Sequence, residues 1–411
     1  MKAHLKFNPL IAALLVQSLA AFAPAQSPTP GAMKWDFALE SPAVSCPALG
    51  TNGLIYFGTE NGAVRALHVQ TGQLRWERHF FIQISFVTVG PDGTVYAGTG
   101  RTLLALDGTT GADRWAVDLG TEVLSAGVDA DTVFVSAGDV LALNAADGAE
   151  KWRAHVAAAT PLALSPDGKI YLGASGALTL ALDARTGNLL WSFLGPSSAP
   201  AIGLDGTVYV GTINDAILYA LDGATGEKRW EFSTGWNVAS SPVIGSDGTV
   251  FVNAHQNIYA VNGATGDTRW EFSSTAWSSG PSAVTADGTL YVGALGALFA
   301  FDATSGEIRW TFPQGGLVFL SPNVGPDGTV YVATIGSGAK IYAVHGTAGL
   351  ADSPWPKFQQ NSQNTGRWKA SSVPRITKHP QSRSLPIGSS VLFHFFAPVE
   401  RPLSVQWRHN G

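Results

Sequence analysis

The sequence predicts an all-β fold, an eight-bladed propeller of four-stranded antiparallel blades, and three observations carry that expectation. The eleven-residue stretch Ala220-Leu-Asp-Gly-Ala-Thr-Gly-Glu-Lys-Arg-Trp230 returns along most of the chain. Its Ala recurs at 66, 105, 142, 181, 220, 260, 300 and 343, and its Gly at 72, 111, 148, 187, 226, 266, 306 and 349. The closing Trp stands at 76, 115, 152, 191, 230, 270 and 310, and Trp35 stands upstream of the first copy. The Trp spacings of 41, 39, 37, 39, 39, 40 and 40 residues fit propeller blades or helical arrays. The second observation decides between them: each copy follows a short β-rich run, such as Leu54–Thr59, Thr94–Thr99, Thr207–Thr212 or Thr329–Thr334. The third is the orphan Trp35, which tells how a ring would close.

Within one repeat the elements follow in order. A Ser/Thr/Ala-Pro element such as Ser241-Pro242-Val243-Ile244 opens the innermost strand, where Pro costs no ladder donor. Asn-Gly or Asp-Gly precedes seven of the eight β-rich runs, a hairpin signal because the turn needs positive φ; Asp129-Ala-Asp131 departs from it. The recurring Ala, on the third strand, is expected to leave room for a large side chain from the neighbouring sheet. The Gly supplies a left-handed turn, and the Trp on the fourth strand docks between blades, burying roughly 150–250 Å². Trp35, Trp76, Trp115, Trp152, Trp191, Trp230, Trp270 and Trp310 are therefore structural. Because the last repeat (Ser321–Val344) has only three strands, Lys34–Phe37 is expected to supply its fourth, closing the ring and covering both open edges.

Residues 1–25 read as a secretory signal peptide: Lys2 and Lys6, the apolar run Leu10–Leu19, then Ala23-Pro-Ala25. The run is too short to span a membrane. Charged residues make up 13% of the chain and net charge is −5, which argues against a nucleic-acid partner. Cys46 is the sole cysteine, so an intramolecular disulfide and a four-Cys zinc site are excluded.

The run Gly206-Thr-Val-Tyr-Val-Gly-Thr212, followed by Tyr219-Ala-Leu-Asp-x-x-Thr-Gly-x-x-x-Trp230, resembles the pyrroloquinoline quinone (PQQ)-type repeat. That repeat is found in quinoprotein dehydrogenases and in the BamB-type outer-membrane assembly propellers. The resemblance covers about residues 31–350 and implies the eight-bladed fold. In the enzymes it also implies a quinone at the channel mouth, held by a Trp floor, a vicinal Cys-Cys disulfide, a calcium ion with carboxylate and amide ligands, and an Asp base. Here there is no Cys pair and no long insertion between repeats, so neither PQQ nor calcium is expected and no catalytic or metal residue is assigned.

Residues 351–373 form a flanking segment and linker. Ser353-Pro-Trp-Pro-Lys-Phe with Asn364-Thr-Gly366 is similar to a segment that flanks such propellers in secreted bacterial proteins, and it is expected to pack against the ring. Residues 374–411 alternate Val391, Phe393 and Phe395, and Gln406-Trp407 resembles the core Trp strand of a bacterial Ig-like domain. This incomplete β-sandwich suggests a piece of a longer, modular protein.

Asp92, Asp167, Asp205, Asp247, Asp287 and Asp327 sit in hairpin turns and lack the spacing of a calcium loop. The nine His are scattered, and no nucleophile elbow, phosphate loop or zinc motif occurs. What departs from the repeat are Trp236-Asn237, Trp277-Ser278, Asn214-Asp215 and His255-Gln256-Asn257, all in loops at one end of the disk. Trp236 and Trp277, 41 residues apart, are expected to form one aromatic wall, with Asn237, Asn214 and His255 as polar contacts. The expected function is an exported, monomeric, non-catalytic scaffold in the periplasm, on the cell surface or secreted, binding a protein or polysaccharide of the envelope. The alternative is a PQQ-dependent dehydrogenase-like protein with a diverged site.

Overall fold

The computed structural model describes residues 28–367 except 196–197, 213–214, 239, 274–279, 318–319 and 337. The signal peptide and the Ig-like segment lie outside the described residues, as do Asn214 and Trp277. The regular structure described is all strand, paired antiparallel into seven sheets. In the first repeat the order from the axis outward is Ala48–Leu49, Leu54–Gly58, Ala63–His68 and Leu74–His79. The inner strand is the shortest, as the crowded axis requires.

Two repeats depart from four separate strands. Thr132–Asn144 and Thr289–Asp302 each run as one long strand through the second and third positions. Their ends meet: the Ala145 N–H donates to Asp131 O at 2.9 Å and the Ala303 N–H to Gly288 O at 2.8 Å. Each run therefore folds back on itself, and the reversal coincides with Gly138 (φ 69°) or Gly296 (φ 82°). A glycine in the left-handed region turns the chain without interrupting the ladder. The third and fourth repeats share the seven-stranded sheet through a single pair, Ala158 with Ala174.

The ring closes as the orphan Trp35 requires. Met33–Ala38 pairs antiparallel with Lys340–Val344, Trp35 facing Ala343, and becomes the outer strand of the last repeat. One cluster then joins Trp35, Tyr331 and Ile341 to Leu49, Ile55, Phe57 and Leu67 of the first repeat.

The recurring Ala has a different reason from the one its sequence suggested. Tyr56, Ala66 and Trp76 form one row across three strands of the same sheet, and the two rings meet over the methyl group with centroids 5.8 Å apart. Every repeat holds such a pair, with Phe134 or Phe251 in place of the Tyr in two of them, at centroid distances from 5.5 Å for Tyr291–Trp310 to 6.0 Å for Phe134–Trp152. A larger residue at the Ala would push the rings apart, so the space serves the blade's own aromatics.

Contact between sheets comes from the outer edge of the Trp. Trp230 Nε1 donates to Gly263 O of the next repeat at 3.0 Å, and Tyr209 Oη donates to the same carbonyl at 2.9 Å. The turn Gly packs here too. A Cβ on Gly226, at φ 77°, would stand 2.7 Å from the ring of Trp191 in the preceding repeat. Glycine is thus required twice, by backbone conformation and by the indole lying on it. At the seam Gly31 takes that place against Trp310.

The turn Asp residues are held mainly by their own blades, with Gln70 and Thr347 of neighbouring repeats also donating to Asp327 and Asp287. Asp205 Oδ1 accepts the Thr207 N–H at 3.1 Å, and its Oδ2 faces Arg229, which also binds Asp222 at 2.8 Å. Arg114, Arg269 and Arg309 repeat the arrangement, and Lys34 substitutes for them at Asp327. The Arg309 hydrogen bond, with the Ser305 N–H, holds the Asp302 carboxyl down at about 2.

Candidate functional site

The bore of the ring is not an open channel, because the segment after the last strand enters it. Each inner strand is an edge, and its axis-facing N–H groups need acceptors. Leu49 donates to Ser362 O at 2.7 Å, Val89 to Gln363 O at 2.9 Å, Val128 to Thr365 O at 3.1 Å and Leu164 to Gly366 O at 2.7 Å. Ile244 donates to Trp355 O at 2.7 Å and Val284 to Pro356 O at 2.8 Å. One strap thus ties six inner strands together. In the last repeat Asn323 substitutes, its Nδ2 donating to Pro47 O and Ser362 O at 2.7 Å each.

The strap is organised by two polar side chains. Lys357 is completely buried, with Nζ donating to Phe358 O at 2.5 Å, Asn361 O at 3.2 Å and Asn364 Oδ1 at 2.6 Å. Three oxygens match the three donors of an ammonium. Burial lowers its pKa to about 8, against a raising contribution from Cys46, so the group is still charged at neutral pH. Asn364 Nδ2 reaches Cys46 O and Pro47 O at 3.1 Å and Val87 O at 3.2 Å, pinning the strap to the first two repeats. Burial pushes the Cys46 thiol up, which keeps it protonated and a poor nucleophile.

Inner strands run from the loops that join repeats to the Gly-x-Asp-Gly turns, so the disk has a loop face and a turn face. The strap crosses at the turn end of the inner strands. On its other side lies a cup of about 390 Å³ whose floor includes Phe358, Gln359 and Asn364 and whose wall is the starts of the inner strands. Ser85, Ser125, Thr160, Ser198 and Ser241 contribute to that wall, and among the described residues no Asp, Glu, Lys or Arg lines the cup.

Around it the loop face carries bare apolar side chains. Phe81 is 90% exposed, Leu194 77% and Trp236 52%. Trp236 stacks on His255 of the next repeat, ring centroids 4.8 Å apart and 17° from parallel, and Asn237 is exposed beside it. The structure therefore brings Trp236, Asn237 and His255 together, with the imidazole lying flat on the indole. Sequence reasoning missed Phe81 and Leu194. A signal existed for the first: the apolar run Phe80-Phe-Ile82 stands where the fifth repeat has Thr234-Gly235. The cup had none, since its floor depends on where residues 351–367 go.

The family profile described as outer membrane protein assembly factor BamB matches residues 81–192, 174–276 and 254–377. The chain belongs to that family. The BamB of Yersinia pestis is 30% identical over 201 residues, 44% of this chain and 51% of that protein. The serine/threonine-protein kinase AfsK of Streptomyces coelicolor is 29% identical over 215 residues, 52% of this chain and 22% of the kinase. The chain thus spans from about a fifth to about half the length of these curated relatives. Among solved structures, BamB from Moraxella catarrhalis superposes with a TM-score of 0.63 at 19% identity, over 76% of this chain and 99% of that one. A quinohemoprotein alcohol dehydrogenase from Pseudomonas putida superposes with a TM-score of 0.64 at 15% identity, over 87% of this chain and 79% of the enzyme. The BamB family membership and these neighbours establish a PQQ-repeat propeller. Among the described residues no helix is long and apolar enough to cross a membrane.

Proposed function

We propose that the chain is an exported, non-catalytic propeller of eight blades that holds a protein partner of the cell envelope on its loop face. The observation carrying this reading is that the two most exposed large apolar groups, Phe81 and Leu194, and the bare indole of Trp236 all stand on that face. Phe81, Leu194 and Trp236 lie at the loop end of their blades, and large exposed aromatics rimmed by polar groups are what protein-binding surfaces offer. Family membership supports the same reading, since an outer membrane protein assembly factor works among envelope proteins. Trp277 and Asn214, outside the described residues, are assigned to the proposed surface by their place in the sequence repeat, and Asn237 by its exposure next to Trp236 in the chain.

A quinone-calcium group of the kind the resemblance implies does not fit the cup. Among the described residues its wall offers hydroxyls, one thiol at Cys46 and no carboxylate, so these supply neither the calcium ligands nor a general base. No reaction step is derived through such a group.

The test is site-specific photo-crosslinking in cells, with the probe placed at Phe81, Trp236 or Trp277 and, as control, at Arg229 on the turn face. Protein adducts are expected from the loop-face positions and not from Arg229, and Trp236→Ala with Trp277→Ala is expected to abolish them. Adducts of equal yield from both faces, or adducts only to polysaccharide, would overturn the reading.

A further inference from the structure

We propose that the cup is a binding site for an uncharged polyhydroxylated small molecule, a neutral sugar ring, distinct from the protein-binding rim. At about 390 Å³ it falls within the range of small-molecule sites. Gln359 lines it, is only 8% exposed, and leaves its Oε1 buried without a hydrogen-bond partner. A buried amide group without a partner is costly and marks a place where a partner is expected. Gln359 also holds φ at 58° and Asn364 at 60°, so two non-glycine residues of the floor sit in the left-handed region. Such backbone persists where the surroundings enforce it, often at ligand clamps.

The chemical class follows from the wall. Among the described residues no ionised side chain lines the cup, so a charged ligand would lose its hydration without a counter-charge from them. Ser85 and Thr160 line the wall with hydroxyls that donate to Val123 O at 2.6 Å and Pro161 O at 3.1 Å, so their oxygens face a ligand as acceptors, while Phe86 and Phe358 contribute ring surface. A sugar ring offers the complement: hydroxyls that donate to these oxygens and to the Gln359 amide once that side chain turns its Oε1, now closed off from solvent, toward the cup, and an apolar C–H face for the aromatics.

Titration calorimetry of the full chain with methyl glucoside, N-acetylglucosamine and maltose, and with glucuronate as the charged control, tests this. At least one neutral sugar is expected to bind and glucuronate not to. Gln359→Met, which keeps length and removes the amide, is expected to weaken binding at least about tenfold. Its melting temperature without sugar should be unchanged or raised, because an unpaired polar group has gone. Ala159→Trp, at an exposed cup position away from the strap, should block binding by filling the space. No binding of any neutral sugar, binding that both variants retain, or a Gln359→Met chain that melts lower would overturn the proposal. That last outcome would assign Gln359 to buried water and strap packing. Rim crosslinking is read separately, so failure here leaves the protein-binding reading standing.

Discussion

The two faces of the ring are made by the same repeat and end up with opposite chemistry. On the turn face the Gly-x-Asp-Gly and Asp-x-x-Thr-Gly turns recur with little change, and Arg114, Arg229, Arg269 and Arg309 bind the turn carboxylates of their own blades. Groups already satisfied by close neighbours offer little to a partner. On the loop face the connections vary in length and composition, and Phe81, Leu194 and Trp236 remain exposed. The difference teaches that periodic polar residues in this chain serve the scaffold, whereas function is to be sought where the period breaks.

That contrast can be broken most forcefully at the Trp that links blades. Trp230→Ala removes a half-buried indole, its contact with Tyr209 and its bond to Gly263 O, and should cost about 3–5 kcal/mol in chemical denaturation. A loss under about 1 kcal/mol would detach the repeat signature from packing.

The strap that separates the faces is probed through Lys357. Its pKa is about 8 in the folded chain and 10.5 ordinarily. A depressed folded value means the group's contribution to stability is fully present above pH 10.5 and is lost as pH falls through 8. Stability of the parent relative to Lys357→Met should therefore rise between pH 8 and 10.5, by at most about 1.4 kcal/mol per pH unit. The neighbouring Cys46 thiol, raised by burial, works in the opposite sense, so both chains should carry Cys46→Ala. Urea midpoints across that range decide it; a flat difference would mean the amine is not held in a dry site.

Smaller still is the turn-face pairing. Arg309→Ala should cost about 0–1 kcal/mol at neutral pH, since the pair is largely exposed. The Asp302 carboxyl, held at about 2 against an ordinary 3.8, should return toward the ordinary value. The parent keeps this contribution above pH 4 and loses it as pH falls through 2, so the two acid-unfolding curves should converge at the acid end.

The smallest stability effect is expected on the loop face. Trp236→Ala should change stability by no more than about 0.5 kcal/mol, and together with Trp277→Ala should remove the photo-crosslinks formed from Phe81. A cost comparable to that of Trp230→Ala would place Trp236 in the core and dissolve the contrast between the faces.

Much of the ring was legible in the sequence because a repeat writes its local rules many times. The spacing of Trp76, Trp115, Trp152 and their successors, the Asp-Gly turns and the orphan Trp35 are statements about neighbours in sequence or one repeat away, and closure by Met33–Ala38 followed from counting strands. The family resemblance was legible on the same residues. The loop-face residues Trp236, Asn237 and His255 could be found as departures from the period, and Phe81 could have been from the run Phe80-Phe-Ile82, but Leu194 looks like an ordinary apolar residue until its exposure is known. What only the tertiary structure decided was the inside of the bore. Whether residues 353–367 lie on the rim or enter the axis depends on axis-facing N–H groups of Leu49, Val89, Val128, Leu164, Ile244 and Val284, which lie 72 to 313 residues along the chain from the carbonyls they bond. No periodicity encodes that contact. The strap enters because six edges converge on one axis with hydrogen bonds to make, and that convergence exists only after the ring has closed.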